Sequence, residues 1–463
     1  MKTLSENKMV TFNVLSTVII AGINFFTIPI FTRMLSTDGY GIVSVYVAWV
    51  QIATIFVGLK ASGSIGSASA NLPDDEQDSY HLSVMILGTL SFVVLLVLAL
   101  IFLQPLSEIL LIDPLLIILM LLQSFGSFVT SLYGMRFIFK KQAQKNFIMS
   151  TGICIATTLV SIFLIMFVFT GGDAYMGRVL GLSIPYFIVG VAMLIFMLTK
   201  TRDIKLAYWT FCLSLTIPVI FHGLSQLVLA QTGKILIQQF SGNSASGIYS
   251  IAVTVVNLLN SVYSALNNAF VPFMYDDLAG KTSEEIKRRH FRNYFILFTA
   301  GTFAFVLVAP EILKILSTTD YWSAVDFLPP LIFGQYCVFL YSFPVNYEFY
   351  KMKTASIAVG TTGAAVVNLI LTYVFIKMFG SYGAALASAI AYALLFIFHF
   401  CIARFRLGDK NYNPKYYAVG FLLMLAMCLL SPLMSSLVIL RWVLGIAILL
   451  ALAFKVVKTR TIF

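Results

Sequence analysis

The chain has 463 residues, of which 60% are hydrophobic and 11% charged, with a formal net charge of +11. A soluble domain is about 45–50% apolar and about 25% charged, so no soluble core would hide this much apolar surface. The solvent is a lipid bilayer, and the basic excess needs no nucleic acid, because membrane topology and anionic headgroups account for it.

Crossing a bilayer takes roughly 20 apolar residues as a helix, and only helices or closed barrels cross. The runs here are too long for barrel strands. The sequence therefore predicts an all-α polytopic membrane protein with spans near 10–34, 38–62, 80–104, 111–135, 146–170, 176–200, 208–238, 246–273, 292–317, 325–349, 354–378, 382–403, 415–436 and 438–456. The first run is too long, and lacks the small-residue site, for a cleavable signal.

In chain order, the first span carries Asn13, Thr17, Asn24 and Thr27, and it ends at Arg33. The second places Ser44, Gln51 and Gly58 seven apart, with Thr54 and Ser62 near the same face. Arg178 opens the sixth span, and Thr199–Tyr208 is the expected linker. The seventh span aligns Gln231, Lys234 and Gln238. In the eighth, Ser250, Asn257 and Ser264 are again seven apart, and Asn260, Ser261, Asn267 and Asn268 extend the face. Residues at such spacings share one side of a helix. Residues 276–292 are charged and predict a solvated amphipathic helix on the basic side.

The stripes repeat. Gly41, Ile42 and Ser44 recur 206 residues later as Gly247, Ile248 and Ser250. Repeats of whole helical sets are typical of transporters, with substrate between the halves. The expected organisation is an N-lobe (1–200, helices 1–6), a C-lobe (201–409, helices 7–12) and two additional helices (410–463, helices 13–14). Placing both termini in the cytoplasm puts all but six of the 30 basic residues on that side, as the positive-inside rule requires. The exceptions are Arg33, Arg178, Lys234, Lys314, Lys377 and Arg441.

Ser, Thr and Asn between helices can be packing glue, worth roughly 0.6–2 kcal/mol each. Four stripes on repeat-related helices favour a hydrated cleft instead. Asn24, Gln51, Gln231, Gln238, Asn257, Asn260, Ser264 and Asn267 are its candidate lining. Arg33, Arg178 and Lys234 are candidate partners for an anion, the competing reading being that they snorkel to headgroups. Cys154, Cys212, Cys337, Cys401 and Cys428 lie within spans and read as small apolar residues. His81, His222, His290 and His399 are scattered without metal-ligand spacing, and no catalytic constellation or cofactor motif is evident. The acids Asp38, Glu108, Asp113, Asp173, Glu311, Asp320 and Asp326 on the opposite side are isolated in sequence, which disfavours a membrane glycosyltransferase.

Three stretches carry a resemblance. "AAVVNLILTYVFIKMFGSYGAALASAIAY" (Ala364–Tyr392), with Asn368, Lys377, Gly380 and Gly383–Ala385, resembles a late helical pair of Wzx-type polysaccharide flippases. "FTIPIFTRMLSTDGYG" (Phe26–Gly41) and "MRFIFKKQAQKNF" (Met135–Phe147) resemble the end of their first helix and their basic loop after the fourth. That superfamily also holds the MATE exporters and lipid II flippases. The resemblance implies a non-enzymatic carrier in the bacterial cytoplasmic membrane. Such a carrier moves an oligosaccharide on polyprenyl pyrophosphate to the outer leaflet by alternating access, without a cofactor or metal. Its partners would be the lipid-linked oligosaccharide, membrane lipids, a coupling ion (proton or sodium) and a polysaccharide polymerase. A MATE-like cation exporter would want embedded carboxylates, and none occurs between Val10 and Arg33 or between Leu206 and Tyr275. A lipid II flippase and a non-transporting scaffold of a capsule assembly complex remain as alternatives.

Overall fold

The computed structural model describes residues 6–459, with the side chains of residue 15 and of 19–458. Lys2 and Arg460, and the side chains of Lys8, Asn13 and Thr17, lie outside the described residues. The described chain is helical throughout and divides into two compact units, Met1–Leu227 and Val228–Phe463.

The first unit holds α1 (Glu6–Met34), α2 (Thr37–Gly58), the short α3 (Ile65–Asn71), α4 (Gln77–Ile101), the short α5 (Leu103–Leu110), α6 (Pro114–Phe139), α7 (Ala143–Phe167) and α8 (Ala174–Lys200). Next comes α9 (Leu206–Leu278), inside which the division falls. The second unit continues with α10 (Glu284–Leu316), α11 (Leu328–Tyr350), α12 (Thr354–Phe379), α13 (Ser381–Cys401), α14 (Pro414–Leu430) and α15 (Val438–Thr459).

Twelve of the described helices are long and apolar enough to cross a membrane. One of them, α9, has 73 residues. At 1.5 Å per residue it would measure about 110 Å, several times the roughly 30 Å hydrocarbon core. Its backbone breaks at Gly242 (φ 86°, ψ 173°), a conformation that only glycine holds without steric cost, so α9 is two crossings. Gln238 Nε2 donates to Asn243 Oδ1 (3.0 Å) and Ser246 Oγ to the Lys234 carbonyl (2.9 Å), bracing the break. With α1, whose described apolar stretch is Ile19–Met34, the count reaches about fourteen. The chain is a multi-pass membrane protein.

The helix starts follow local chemistry. Ser36, Asp113, Ser283 and Asn413 accept backbone N–H bonds at the N-termini of α2, α6, α10 and α14, and proline follows two of these caps. Such caps satisfy donors that a helix start leaves open.

Lipid supplies no hydrophobic force between helices, so close approach and polar pairing hold the units together. In the first unit α6 is central, packed on α2, α4 and α8. It meets α8 at Gly126 and Gly190, where a Cβ on Gly190 would lie 2.7 Å from the Gly126 Cα. Arg136 and Lys140 both reach Asp78 (2.6 and 2.8 Å), tying α6 to α4. Before α9, Glu76 accepts from the Tyr208 hydroxyl (2.5 Å) and Lys205 (3.0 Å). The Tyr208 bond foremost, then Lys205, hold the exposed Glu76 carboxyl below its ordinary range, and Glu76 holds Lys205 above its own. This tie is complete above the ordinary carboxylate pKa and is lost as pH falls through the lowered one.

In the second unit α12 turns directly into α13. Gly380 takes φ 60°, and a Cβ on Gly383 would lie 2.1 Å from the Phe375 carbonyl oxygen. Asn368 donates to the Leu229 carbonyl (3.2 Å). Glycines of the family-like stretch thus set a tight helical hairpin, and its asparagine fastens that hairpin to α9. Two sequence expectations are corrected here. Glu311 is not isolated, because Arg441 of α15 pairs with it inside the unit and also donates to the Leu307 carbonyl (3.2 Å). Residues 276–292 are not one solvated helix, because α9 runs to Leu278 and α10 starts at Glu284. One side of that stretch is buried, with His290 Nδ1 3.0 Å from Asp277.

Gly126→Val should lower the thermal midpoint of the purified protein, since overpacking costs about 1–3 kcal/mol and the nearest atom here is backbone. Gly152→Val, with nothing within 4 Å, should leave it unchanged. Equal midpoints in a fluorescence melt would refute the glycine contact.

Candidate functional site

Inside the first unit, α2, α6 and α8 enclose a cleft of about 410 Å³. Its α2 side is Val47, Val50, Gln51, Thr54, Ile55 and Gly58, spaced as one helical face. Its α6 side is Gln123, Ser127, Phe128 and Ser131, and the turn after α2 adds Lys60 and Ser62. Phe128 forms the back wall. Its ring sits so close to Gly58 and Gly88 that a Cβ on either would come within 2.7 Å or 2.3 Å of it.

The polar lining is positioned by the fold. The Tyr46 hydroxyl donates to Gln123 Oε1 (2.8 Å) with both residues buried, which fixes the amide carbonyl and leaves Gln123 lining the cleft. Gln51 is exposed on the α2 face. Leu59 and Lys60 both take positive φ (49° and 52°), an uncommon conformation outside glycine, and this turn swings Lys60 back across the cleft end. The Lys60 side chain runs over Gly223 of α9, where a Cβ would lie 2.6 Å from Cε. Among the described residues no carboxylate pairs with Lys60. The cleft therefore offers hydroxyls, two amides and one cation in an otherwise apolar bundle. Of three larger cavities in the second unit, those at Phe303 and Leu423 and at Phe298 and Leu449 have almost wholly apolar linings, and the one at Phe333 and Phe421 adds Ser323 and Asp326 to a mainly apolar wall.

The residues marked from sequence divide by place. Gln51, with Thr54 and Ser62, lines the cleft. Asn24 is exposed on α1, with its Oδ1 3.9 Å from Cys154 Sγ. Arg33 is exposed and donates to the Pro29 carbonyl of its own helix (2.8 Å). Arg178 turns inward: its guanidinium stacks 3.8 Å from the Phe31 ring centroid and donates to Ser161 Oγ (2.9 Å). In the second unit Gln231 and Gln238 are buried and Lys234 is half-buried. Asn257 and Ser264 are exposed, Asn260 accepts from Gln335 of α11 (3.1 Å), and Asn267 is half-buried. Ser250 is buried at 1% exposure, whereas its repeat partner Ser44 is half-buried. A fifth stripe, Gln123, Ser127 and Ser131 of α6, escaped the sequence reading although its four-residue spacing follows the same rule. Lys60 entered that reading only as a topological charge.

The chain is thus a multi-pass helical membrane protein with a polar cleft inside its first unit. The solved structures with this architecture include "Lipid II flippase MurJ, inward closed conformation", with TM-score 0.70 at 13% identity, covering 98% of this chain and 100% of that one. Another is an inward-facing multidrug resistance MATE family transporter of the MOP superfamily, with TM-score 0.62 at 12% identity, covering 84% of this chain and 98% of that one. A curated relative, an uncharacterized membrane protein of Haemophilus influenzae, is 25% identical over 354 residues, 72% of this chain and 81% of its own length. The family described as "Polysaccharide biosynthesis protein" matches residues 7–276, and the chain belongs to it.

Gly223→Val should displace Lys60 from the cleft end. In a labelling experiment on a lysine-reactive probe, Lys60 modification should rise several-fold over wild type. An unchanged rate would show that Lys60 does not lie across Gly223.

Proposed function

We propose that the protein is a flippase that carries a polyprenyl-pyrophosphate-linked oligosaccharide from the cytoplasmic to the outer leaflet by alternating access, for surface polysaccharide synthesis. The family supports a role in polysaccharide biosynthesis, and the MurJ-like and MATE-like fold supports a carrier. The observation that carries the reading is the cleft. Sugars need hydrogen-bonding groups that replace water, and Gln51, Gln123, Ser127 and Ser131 supply them across the bundle. A pyrophosphate needs cations, which are costly in a membrane unless they are used. Lys60 is one such cation. Lys234, half-buried and with no carboxylate partner among the described residues, is a second. Arg178 serves as a positioning cation between α1 and α7, and Arg33 as a headgroup contact. Asn24, Asn257, Asn260, Ser264 and Asn267 extend the wet route.

The orientation places both termini in the cytoplasm of a bacterial inner membrane, on the strength of the basic-residue bias. A cysteine placed at Ser244 should react with an impermeant reagent in intact cells, and one at Ser283 should not. The reverse pattern would invert the transport direction.

The function is tested in cells that depend on this protein for surface polysaccharide. Lys60→Gln and Gln123→Leu should each reduce surface polysaccharide at least tenfold at equal protein level, and Lys60→Arg should retain most of it. Leu100→Ala, on an exposed apolar face, should have no effect. Full export by both cleft variants would reject the site. Loss of a cationic drug efflux phenotype, with surface polysaccharide intact, would favour an exporter instead.

A further inference from the structure

A groove of about 780 Å³ in the second unit lies between α11, α13 and α14, apart from the polar cleft. That volume is within the roughly 300–1,000 Å³ of small-molecule sites. From α13 it is lined by Tyr382, Leu386, Ala389 and Ala393, which share one helical face at spacings of three and four. The two alanines keep that face low, so a hollow remains where larger side chains would fill it. Phe333 of α11 and Phe421 of α14 meet edge to face on the wall (5.2 Å). Leu394 and Leu429 line it too and are exposed.

The groove is one leaflet deep. From Tyr382 to Leu394 the α13 wall rises about 18 Å, whereas the whole hydrocarbon core is roughly 30 Å thick. A partner's crossing helix would need both leaflets, and an acyl chain needs one. The polar groups of the lining are confined to the end that precedes α11, where Ser323 and Asp326 are both exposed. Trp322 (41% exposed) and Tyr382 (40%) stand at the same end, and such rings gather at the membrane–water interface. The mouth is therefore at headgroup depth, at the end of α11 remote from Lys351 and Lys353.

The cations of this end are engaged elsewhere. Lys314 lies over the Trp322 ring (5.3 Å), Lys377 lies over the Tyr373 ring (4.1 Å), and Arg441 pairs with Glu311. Among the described residues no Lys, Arg or His forms an ion pair with Asp326. A carboxylate at the mouth of an apolar groove repels an anionic headgroup and favours a positive one. A primary ammonium suits it best, because it brings three N–H donors to a carboxylate and a hydroxyl.

We propose that this groove is a binding site for a phospholipid with an ethanolamine headgroup, whose acyl chain lies between α13 and α14 and whose ammonium meets Asp326 and Ser323. The occupant is a lipid of the leaflet at that end, held outside the polar cleft.

Photo-crosslinking of the full chain in sealed vesicles tests the site. A benzoylphenylalanine replaces Leu429, a groove residue that is 69% exposed. The vesicles contain equal phosphatidylethanolamine and phosphatidylglycerol, and mass spectrometry identifies the adducts. Ethanolamine adducts should exceed glycerol adducts several-fold, and the same probe at Leu100, on an exposed apolar face of the first unit, should show no such excess. Asp326→Asn, at an exposed position, should abolish the preference, and Asp326→Lys should reverse it. Ala393→Phe, which fills the groove, should lower the total adduct several-fold. Equal adducts in wild type, a preference that survives Asp326→Asn, or undiminished adduct in Ala393→Phe would each overturn the proposal. So would a cross-link to a second copy of the chain in place of lipid. None of these readouts involves transport, so the flippase reading neither stands nor falls with them.

Discussion

Inside a bilayer a polar side chain must be paired by protein or kept wet, because the hydrocarbon offers it nothing. This constraint sorts the polar residues of the chain into two kinds. Asp78 with Arg136 and Lys140, Glu311 with Arg441, and Glu348 with His399 are paired across helices that are distant in sequence. Losing one partner of a buried pair such as Arg441 with Glu311 is costly, about 3–5 kcal/mol, so the buried pairs fix which helices stay together. Gln51, Lys60, Ser62 and Ser131 are the other kind. They line one cleft together, next to apolar neighbours. The functional reading rests on that difference and not on the number of polar residues.

The glycines make the pairing possible. Phe128 closes the back of the cleft only because Gly58 and Gly88 leave room for its ring, and Lys60 crosses the cleft end only because Gly223 lacks a side chain. The same device at Gly126 and Gly190 brings α6 and α8 close enough for α6 to carry both the cleft stripe and the Arg136 anchor. Packing and site are thus one construction, with small residues at the back and polar ones at the front.

Much of the fold was legible in the sequence, since hydrophobic length and the positive-inside bias are strong signals. The near count of fourteen depended on recognising the turn that contains Gly242, which the backbone confirms with a positive φ. The site was less legible. Gln51 was found because its stripe repeats 206 residues later, but the α6 stripe has no marked repeat and went unread. Spacing along a helix also does not say which neighbour it meets. Gln238 and Ser250 fall on polar stripes, yet one braces the break at Gly242 and the other is buried. For Arg178 the sequence left an anion partner and a snorkelling residue both open, and only the position of Phe31 shows that it turns inward. Glu348 and His399 lie 51 residues apart, and no local pattern joins them.

The central claim is that this chain moves a lipid-linked oligosaccharide across a bilayer by itself. Purified protein reconstituted into sealed vesicles, with the lipid-linked oligosaccharide loaded in one leaflet, measures this directly through access of an external sugar-cleaving enzyme. The account predicts that the protected half of the substrate becomes cleavable in wild-type vesicles and stays protected with Lys60→Gln. Protection that is equal in wild-type and protein-free vesicles would contradict it.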